Sequence, residues 1–323
     1  MNRLNYWNRL FKAYILKNTS QLTFWHSEPL LNENYTKDKL GPYYMSFHSK
    51  ANYNGHYDAD GIPMLDYHGS IGIQYNPIAI AQWGLGNYNL WHDSGDKIYY
   101  DKFIKSANWL VKNIEKNKYN LKVWTHHFDF EYRDKLKSPW YSGLAQGQGI
   151  SVLIRALKET QKEDYKNTID EALKVFNTDI YNGGVDYMDS NGNHWIEEYI
   201  VNPPTHILNG FIWALWGIYD CYIYYKSEEM KEKFINYSNT ISNNLNKYDN
   251  KYWSKYELSN TLLPMIASQF YHKLHIVQLE IMFDLTSKDA YKIYSNKWRK
   301  QLNNSIYRKV SFLHKAIFKV FYY

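Results

Sequence analysis

Glu197, Glu198 and Tyr199 are consecutive side chains able to give or take protons, and the residues that follow fix where they stand. Asn202-Pro203-Pro204-Thr205 interrupts any regular element, because each proline locks its own φ and pushes the preceding residue out of the helical region. A helix then restarts. From His206 to Tyr219, Ile207, Phe211, Ala214, Leu215 and Ile218 recur at the three- and four-residue spacing of one buried face, with Thr205 placed to cap it. Ionisable groups on a short connection anchored by a rigid helix suit acid–base catalysis. The competing reading is a solvated loop whose acids favour the helix dipole.

Three further stretches put polar, planar or ionisable groups at an abrupt loop-to-helix junction: Gln74 to Gly84, Ser138 to Gly149 and Ala267 to Glu280. Within the helices of the last two, Gln146, His275 and Gln278 interrupt apolar faces. A buried polar side chain left unpaired costs about 1 to 3 kcal/mol, so each implies a hydrogen-bonding neighbour or a ligand. No metal site is expected. His126 and His127 are adjacent and point differently, and Asp58, Asp60 and Gly61 lack the other ligands of a calcium loop and read as a turn.

These groups need elements to hold them. Residues 1 to 30 read as an amphipathic helix, with Leu4, Trp7, Leu10, Phe11, Tyr14 and Ile15 on one side, followed by loop. Residues 41 to 75 alternate aromatics with Gly, Asp and Asn, the mark of short strands and turns. From Pro77 onward, about eight helical segments of roughly 12 to 20 residues follow one another through short linkers, without βαβ alternation or a glycine-rich phosphate loop. The expected fold is mainly α, an α/α toroid (a barrel of paired helices) with a short N-terminal β/loop segment. Residues 1–66 would pack on the body, 67–302 form the catalytic barrel, and 303–323 a basic, apolar tail carrying Arg308, Lys309, Lys315 and Lys319.

The 323 residues suffice for a large core, and 18% are aromatic, 33 of them tyrosine and 12 tryptophan, which suits stacking on sugar rings although coding bias contributes. A net charge of +6 raises the local concentration of an anionic partner. The single cysteine, Cys221, excludes an intrachain disulfide and fits a reducing compartment. The amino terminus has neither a continuous apolar run nor a small-residue cleavage site, and no window approaches the roughly 20 apolar residues of a membrane span. A cytoplasmic location is therefore expected, with the tail lying against an anionic membrane surface, the core or a partner helix. No nucleic acid is expected as partner, and a homodimer is compatible with the sequence.

The four junctions, in this order and at these intervals, resemble the carboxy-terminal α/α domain of the D-glucuronyl C5-epimerases, which invert glucuronate to iduronate in heparosan and heparan-type chains. The resemblance runs from about Tyr67 to Arg299. Its most specific parts are SPWYSGLAQGQGISVLIRA, EEY followed by NPPTHILNGF and the GIYD closing the same helix, and FYHKLHIVQL. It implies Glu198 and Tyr199 as a catalytic pair, Tyr271 as a second catalytic tyrosine, and Asn209 and Gln82 as substrate contacts. Trp140, Tyr141, Gln146, Gln148, Tyr256, His272 and His275 would line the cleft. Asn76 and Ala79 stand where animal relatives carry larger polar groups, and Ser259 replaces an arginine. Animal relatives carry a long region with β-sandwich structure ahead of the helical domain, whereas about 65 residues precede the resemblance here, so their dimerisation mode and any metal site built there are not carried over.

Inverting C5 of a uronate requires proton removal on one face and return on the other. Tyrosine, with an ordinary pKa of about 10, can serve if its anion is stabilised. Tyr199 assisted by Glu198 would work one face and Tyr271 the other, the two phenols facing each other across the sugar. His272, His275, Lys273 and Arg133 would neutralise the intermediate. The chemistry needs no cofactor. The alternatives are a uronate lyase on the same fold, a non-catalytic anionic-polysaccharide-binding protein and, ranked below both because Glu197 and Glu198 are adjacent, a hydrolase.

Overall fold

The structure, a computed structural model, describes residues 24–132 and 134–322. The amphipathic face expected in residues 1 to 30 and Arg133 lie outside them. The described residues form two compact units, one of Asn32–Pro204 with Gly210–Thr240, the other of 24–31, Thr205–Asn209 and 241–322.

The first unit opens with a one-turn helix, α1 (His48–Ala51), and an antiparallel sheet of β1 (His56–Tyr57), β2 (Pro63–Asp66) and β3 (Ile73–Gln74). Asp58 builds the β1–β2 turn by accepting the Asp60 and Ile62 amides at 2.9 and 2.8 Å. The helix α2 (Pro77–Ser94) follows, capped by Asn76, whose Oδ1 accepts the Ile78 and Ala79 amides. Pro77 at its first position loses no hydrogen bond, since that amide is unpaired in any helix. Gly95 at φ 72° ends it. This helix is buried on all sides from Pro77 to Asn89, whereas α3 (Lys97–Lys112) buries only Phe103, Ser106, Ala107 and Leu110. The alternation repeats: α4 (Gly143–Thr160) is buried from Gly143 to Leu157, and α5 (Glu163–Leu173) buries a single stripe. A helix buried on all sides followed by one that buries a single stripe is the burial pattern of paired α/α architecture.

Two-residue ladders fill the connections: β4 (Glu115–Lys116) with β5 (Lys122–Val123), β6 (Thr125–His126) with β9 (Trp140–Tyr141), and between these β7 (Phe130–Glu131) with β8 (Lys135–Leu136). β10 (Asp186–Met188) pairs with β11 (His194–Ile196). These segments are too short to show an alternating pattern. Two long helices then follow, α6 (Leu208–Tyr225) and α7 (Glu228–Tyr248). α6 starts at Leu208, not at His206, because His206 adopts φ 52° in the left-handed region. Thr205 is therefore too far ahead to cap the helix, and its carbonyl accepts the Leu258 amide instead.

Small residues let α4 and α6 cross closely. A Cβ on Gly147 would stand 2.3 Å from the Ala214 Cα, and one on Gly217 2.3 Å from the Gly147 carbonyl oxygen. Near this crossing Arg155 and Asp220, both fully buried, pair at 2.7 Å, and Tyr44 Oη donates to Asp220 Oδ1 at 2.7 Å. Arg155 also donates to the Gly41 and Ser151 carbonyls, so the charges are taken up by hydrogen bonds throughout.

The second unit contains α8 (Gln269–Thr286), α9 (Asp289–Asn303) and α10 (Ser305–Tyr322). α8 is the buried member and α9 the amphipathic one. The stretch expected as a tail is the helix α10. It is tied to the 252–266 loop, where His314 bonds the Tyr252 hydroxyl and the Pro264 carbonyl, and Lys315 the Ile266 carbonyl.

Candidate active site

In the first unit β11 delivers Glu197 and Glu198 into the interior and leaves Tyr199 half-buried after them. The backbone is clamped here: the Glu197 amide donates to the Val185 carbonyl at 2.9 Å and its carbonyl accepts the Gly143 amide at 3.0 Å. A side chain on Gly143 would collide with that carbonyl, and one on Gly210 would stand 2.0 Å from Glu198 Oε2. The glycine of the LNG string thus makes room for the carboxyl. Burial raises the Glu198 pKa to about 8, assisted by the Glu197 charge and opposed by a hydrogen bond with Tyr199.

The Tyr199 ring is walled by aromatics, with Tyr132 at 4.7 Å, Trp140 at 5.8 Å and Phe130 at 6.0 Å between centroids. The Trp140 indole is fixed by donation to the Phe128 carbonyl and by stacking on His126 at 3.8 Å. His126 lies opposite Trp140 in the β6–β9 ladder, and burial lowers its pKa to about 3, so the ring is neutral. Phe130, Tyr132 and His126 were missed from sequence. For Phe130 and Tyr132 the one hint in the sequence was an aromatic at every second residue from Phe128 to Tyr132, outside any ladder longer than two residues.

Gln82 donates to Gln148 at 3.0 Å, both fully buried; Gln82 Oε1 accepts no hydrogen bond, while Gln148 lies beside the Tyr43 hydroxyl. Gln146 is employed otherwise. Its amide accepts the Trp124 amide and donates to the Trp124 and Ser142 carbonyls, fixing β5–β6 to the helix start. Tyr141 donates to the Gly184 carbonyl at 3.4 Å, and burial raises its pKa to about 12.

The second unit groups the remaining candidates. Ser268 caps α8 by accepting the Tyr271 amide, which sets half-buried Tyr271 in the first turn. Tyr256 meets Tyr271 edge-on at 4.8 Å, and its carbonyl accepts the Leu208 amide, next to Asn209. The Asn209 carbonyl in turn accepts Gln278 Nε2 at 3.0 Å.

His272 and His275 meet at Ser254, whose Oγ lies 2.8 and 2.9 Å from their Nδ1 atoms. The Ser254 amide donates to His272 Nδ1, which fixes the tautomer: His272 carries its proton on Nε2 and gives it to the Trp298 carbonyl at 3.0 Å. Burial lowers the His272 pKa to about 3 and that of His275 well below the ordinary range. Both imidazoles are therefore neutral and can act only as hydrogen-bond donors or acceptors, and Lys273 is engaged by Glu28 at 2.8 Å. The chain buries these imidazoles as neutral hydrogen-bonding groups because α8 is the interior helix.

The structure is similar to a sugar epimerase from a ruminal bacterium, with a TM-score of 0.56 and 11% identity over 94% of this chain and 87% of that one. The cellobiose 2-epimerase of Bacillus thermoamylovorans gives 0.54 and 9% identity over 93% and 87%. The fold is thus mainly α, of the α/α-barrel class. Residues 116–300 match the model of the D-glucuronyl C5-epimerase C-terminus, and the chain belongs to that family. It is 30% identical to the D-glucuronyl C5-epimerase of Caenorhabditis elegans over 211 residues, 61% of this chain and 34% of that protein. It is 27% identical to an uncharacterized protein of Methanocaldococcus jannaschii over 208 residues, 61% and 63% respectively. The chain thus spans about a third and under two thirds of the lengths of these relatives.

Proposed function

We propose that this protein is a carbohydrate epimerase that inverts C5 of D-glucuronate to L-iduronate within a heparosan-like polymer. The observation that carries the reading is the buried Glu198 carboxyl hydrogen-bonded to Tyr199, with a pKa near neutrality. A phenol alone is a poor base at neutral pH; the carboxylate form of Glu198, which becomes populated as pH rises toward about 8, takes the phenol's proton as it attacks and makes it competent. On this reading Tyr199 and Glu198 serve one face of the sugar, and Tyr271, beside Tyr256, serves the other. The C5–H proton passes to one phenolate, the electron pair spreads into the uronate carboxylate, and the second phenol returns a proton to C5. No glycosidic bond breaks, and nothing is consumed.

The unpaired Gln82 Oε1 suits a hydroxylated substrate, and the aromatic wall of Phe130, Tyr132 and Trp140 around Tyr199 suits a sugar face. In deuterated water with heparosan, the protein should place deuterium at C5 without shortening the chain. Tyr199→Phe and Tyr271→Phe should each depress exchange about 100-fold or more, the typical contribution of a general acid or base. Full exchange by both variants sinks the assignment of the tyrosines. An ultraviolet-absorbing unsaturated uronate would instead indicate a lyase, and binding without exchange a non-catalytic polysaccharide-binding protein.

A further inference from the structure

The helix α10 presents polar groups to its own unit and apolar groups to solvent. Arg308, Ser311, His314, Lys315 and Phe318 are buried, and three of them bond backbone carbonyls: Arg308 that of Leu302, His314 that of Pro264 and Lys315 that of Ile266. Facing out are Ile306, Val310, Leu313, Ile317 and Val320, exposed by 67, 40, 59, 41 and 73%. Their spacing of four, three, four and three residues makes one stripe along the helix. The surface continues past its end: Phe321 is 75% exposed, and Leu262 is fully exposed on the loop whose Leu263 amide meets the Tyr322 hydroxyl at 3.5 Å.

Charge decides what such a stripe can meet. No Asp or Glu follows Asp289, so the helix carries Arg308, Lys309, Lys315 and Lys319 without one acid. Lys309 is exposed beside Val310. Arg308 and Lys315 are turned inward, so exposed Lys309 and part-exposed Lys319 carry the outward charge, and pairing with a second copy would set the apolar stripes together but bring these like charges to the seam with no acid of the helix to offset them. Residues 1–27 are also free of acids, so that segment offers no complementary charge either. A basic, acid-free helix with an outward apolar face suits a surface that is apolar beneath and anionic on top. Among the described residues no helix is long and apolar enough to cross a membrane.

We propose that the outward face of α10, with Leu262 and Lys309, docks the protein on an anionic lipid bilayer, the helix lying in the plane of the headgroups. This inference is independent of the reading of the active site. The test is flotation of the full chain with vesicles of phosphatidylcholine alone or with about 30% phosphatidylglycerol, since anionic lipid supplies the attraction. The protein should float with the anionic vesicles, and at least tenfold less should bind in Leu313→Glu/Ile317→Glu and in Lys309→Glu. All three positions are solvent-exposed, so circular dichroism should be unchanged and C5 exchange on soluble oligosaccharide, where present, unaffected. Failure to float, or equal flotation of the folded variants, overturns the proposal. So does a concentration-dependent dimer in sedimentation velocity that Leu313→Glu/Ile317→Glu dissociates, which would assign the stripe to a second copy.

Discussion

The Glu198 carboxyl concentrates the chemistry of the proposed site in one group, and its protonation can be read from stability. Its pKa is about 8 in the folded chain against an ordinary 4.5. Between these values the folded state holds a proton that the unfolded state has released, so this group makes stability fall as pH rises from about 4.5 to 8 and is neutral to it below that window. At about 1.4 kcal/mol per pKa unit the deficit above pH 8 is on the order of a few kcal/mol. Glu198→Gln should therefore be more stable than the wild type to urea at pH 9, with the gain shrinking toward zero at pH 4.5. An equal gain at both pH values would show that the carboxyl is not held protonated. The same variant should lose C5 exchange, and wild-type exchange should rise through pH 8 as the carboxylate form appears.

Among the elements, the crossing of α4 and α6 sets the backbone that holds both Gln148 and the Gly210 clearance for Glu198. Gly147 is not there for its φ but for its missing Cβ, which would meet Ala214 backbone atoms that cannot swing away. Gly147→Ala should cost about 2 to 3 kcal/mol in urea denaturation by forcing the helices apart. Gly41→Ala, whose new Cβ would meet nothing nearer than 4.0 Å, should stay within about 0.5 kcal/mol. A Gly147→Ala loss no larger than the control's would show that the helices yield freely. The glycines of SGLAQGQG were visible in the sequence as part of a family string, but their reason was not, because a close approach depends on the partner helix. Helix identity and order were legible from apolar spacing, and the start of α2 near Pro77 from the change of pattern there. The Leu208 start was not, since the left-handed turn at His206 is imposed by tertiary hydrogen bonds, Tyr248 Oη donating to its carbonyl at 2.6 Å. The charge state of His272 and His275 was equally hidden, because it follows from burial that local sequence does not reveal.

For the molecule as a whole, the net charge of +6 is carried by groups that mostly face water, where an ion pair such as Lys97–Asp101 contributes at most about 1 kcal/mol. Arg155–Asp220 is of another kind. Both side chains are essentially without solvent, and the pair joins α4, α6 and the loop carrying Gly41 and Tyr44 through a shared set of hydrogen bonds. Such a pair gains little over an apolar replacement of the same volume, yet removing one member strands the other charge in the interior, typically at 3 to 5 kcal/mol. Against a total stability of about 5 to 15 kcal/mol, that is a large fraction of what keeps the chain folded. Arg155→Met should therefore lower the urea midpoint severely, and Asp220→Leu should do likewise. The double variant Arg155→Met/Asp220→Leu should recover much of the loss, since no buried charge remains. The double-mutant cycle should show a coupling of at least about 2 kcal/mol. Additive losses in the double variant would show that the pair acts through packing of the two side chains rather than through their charges.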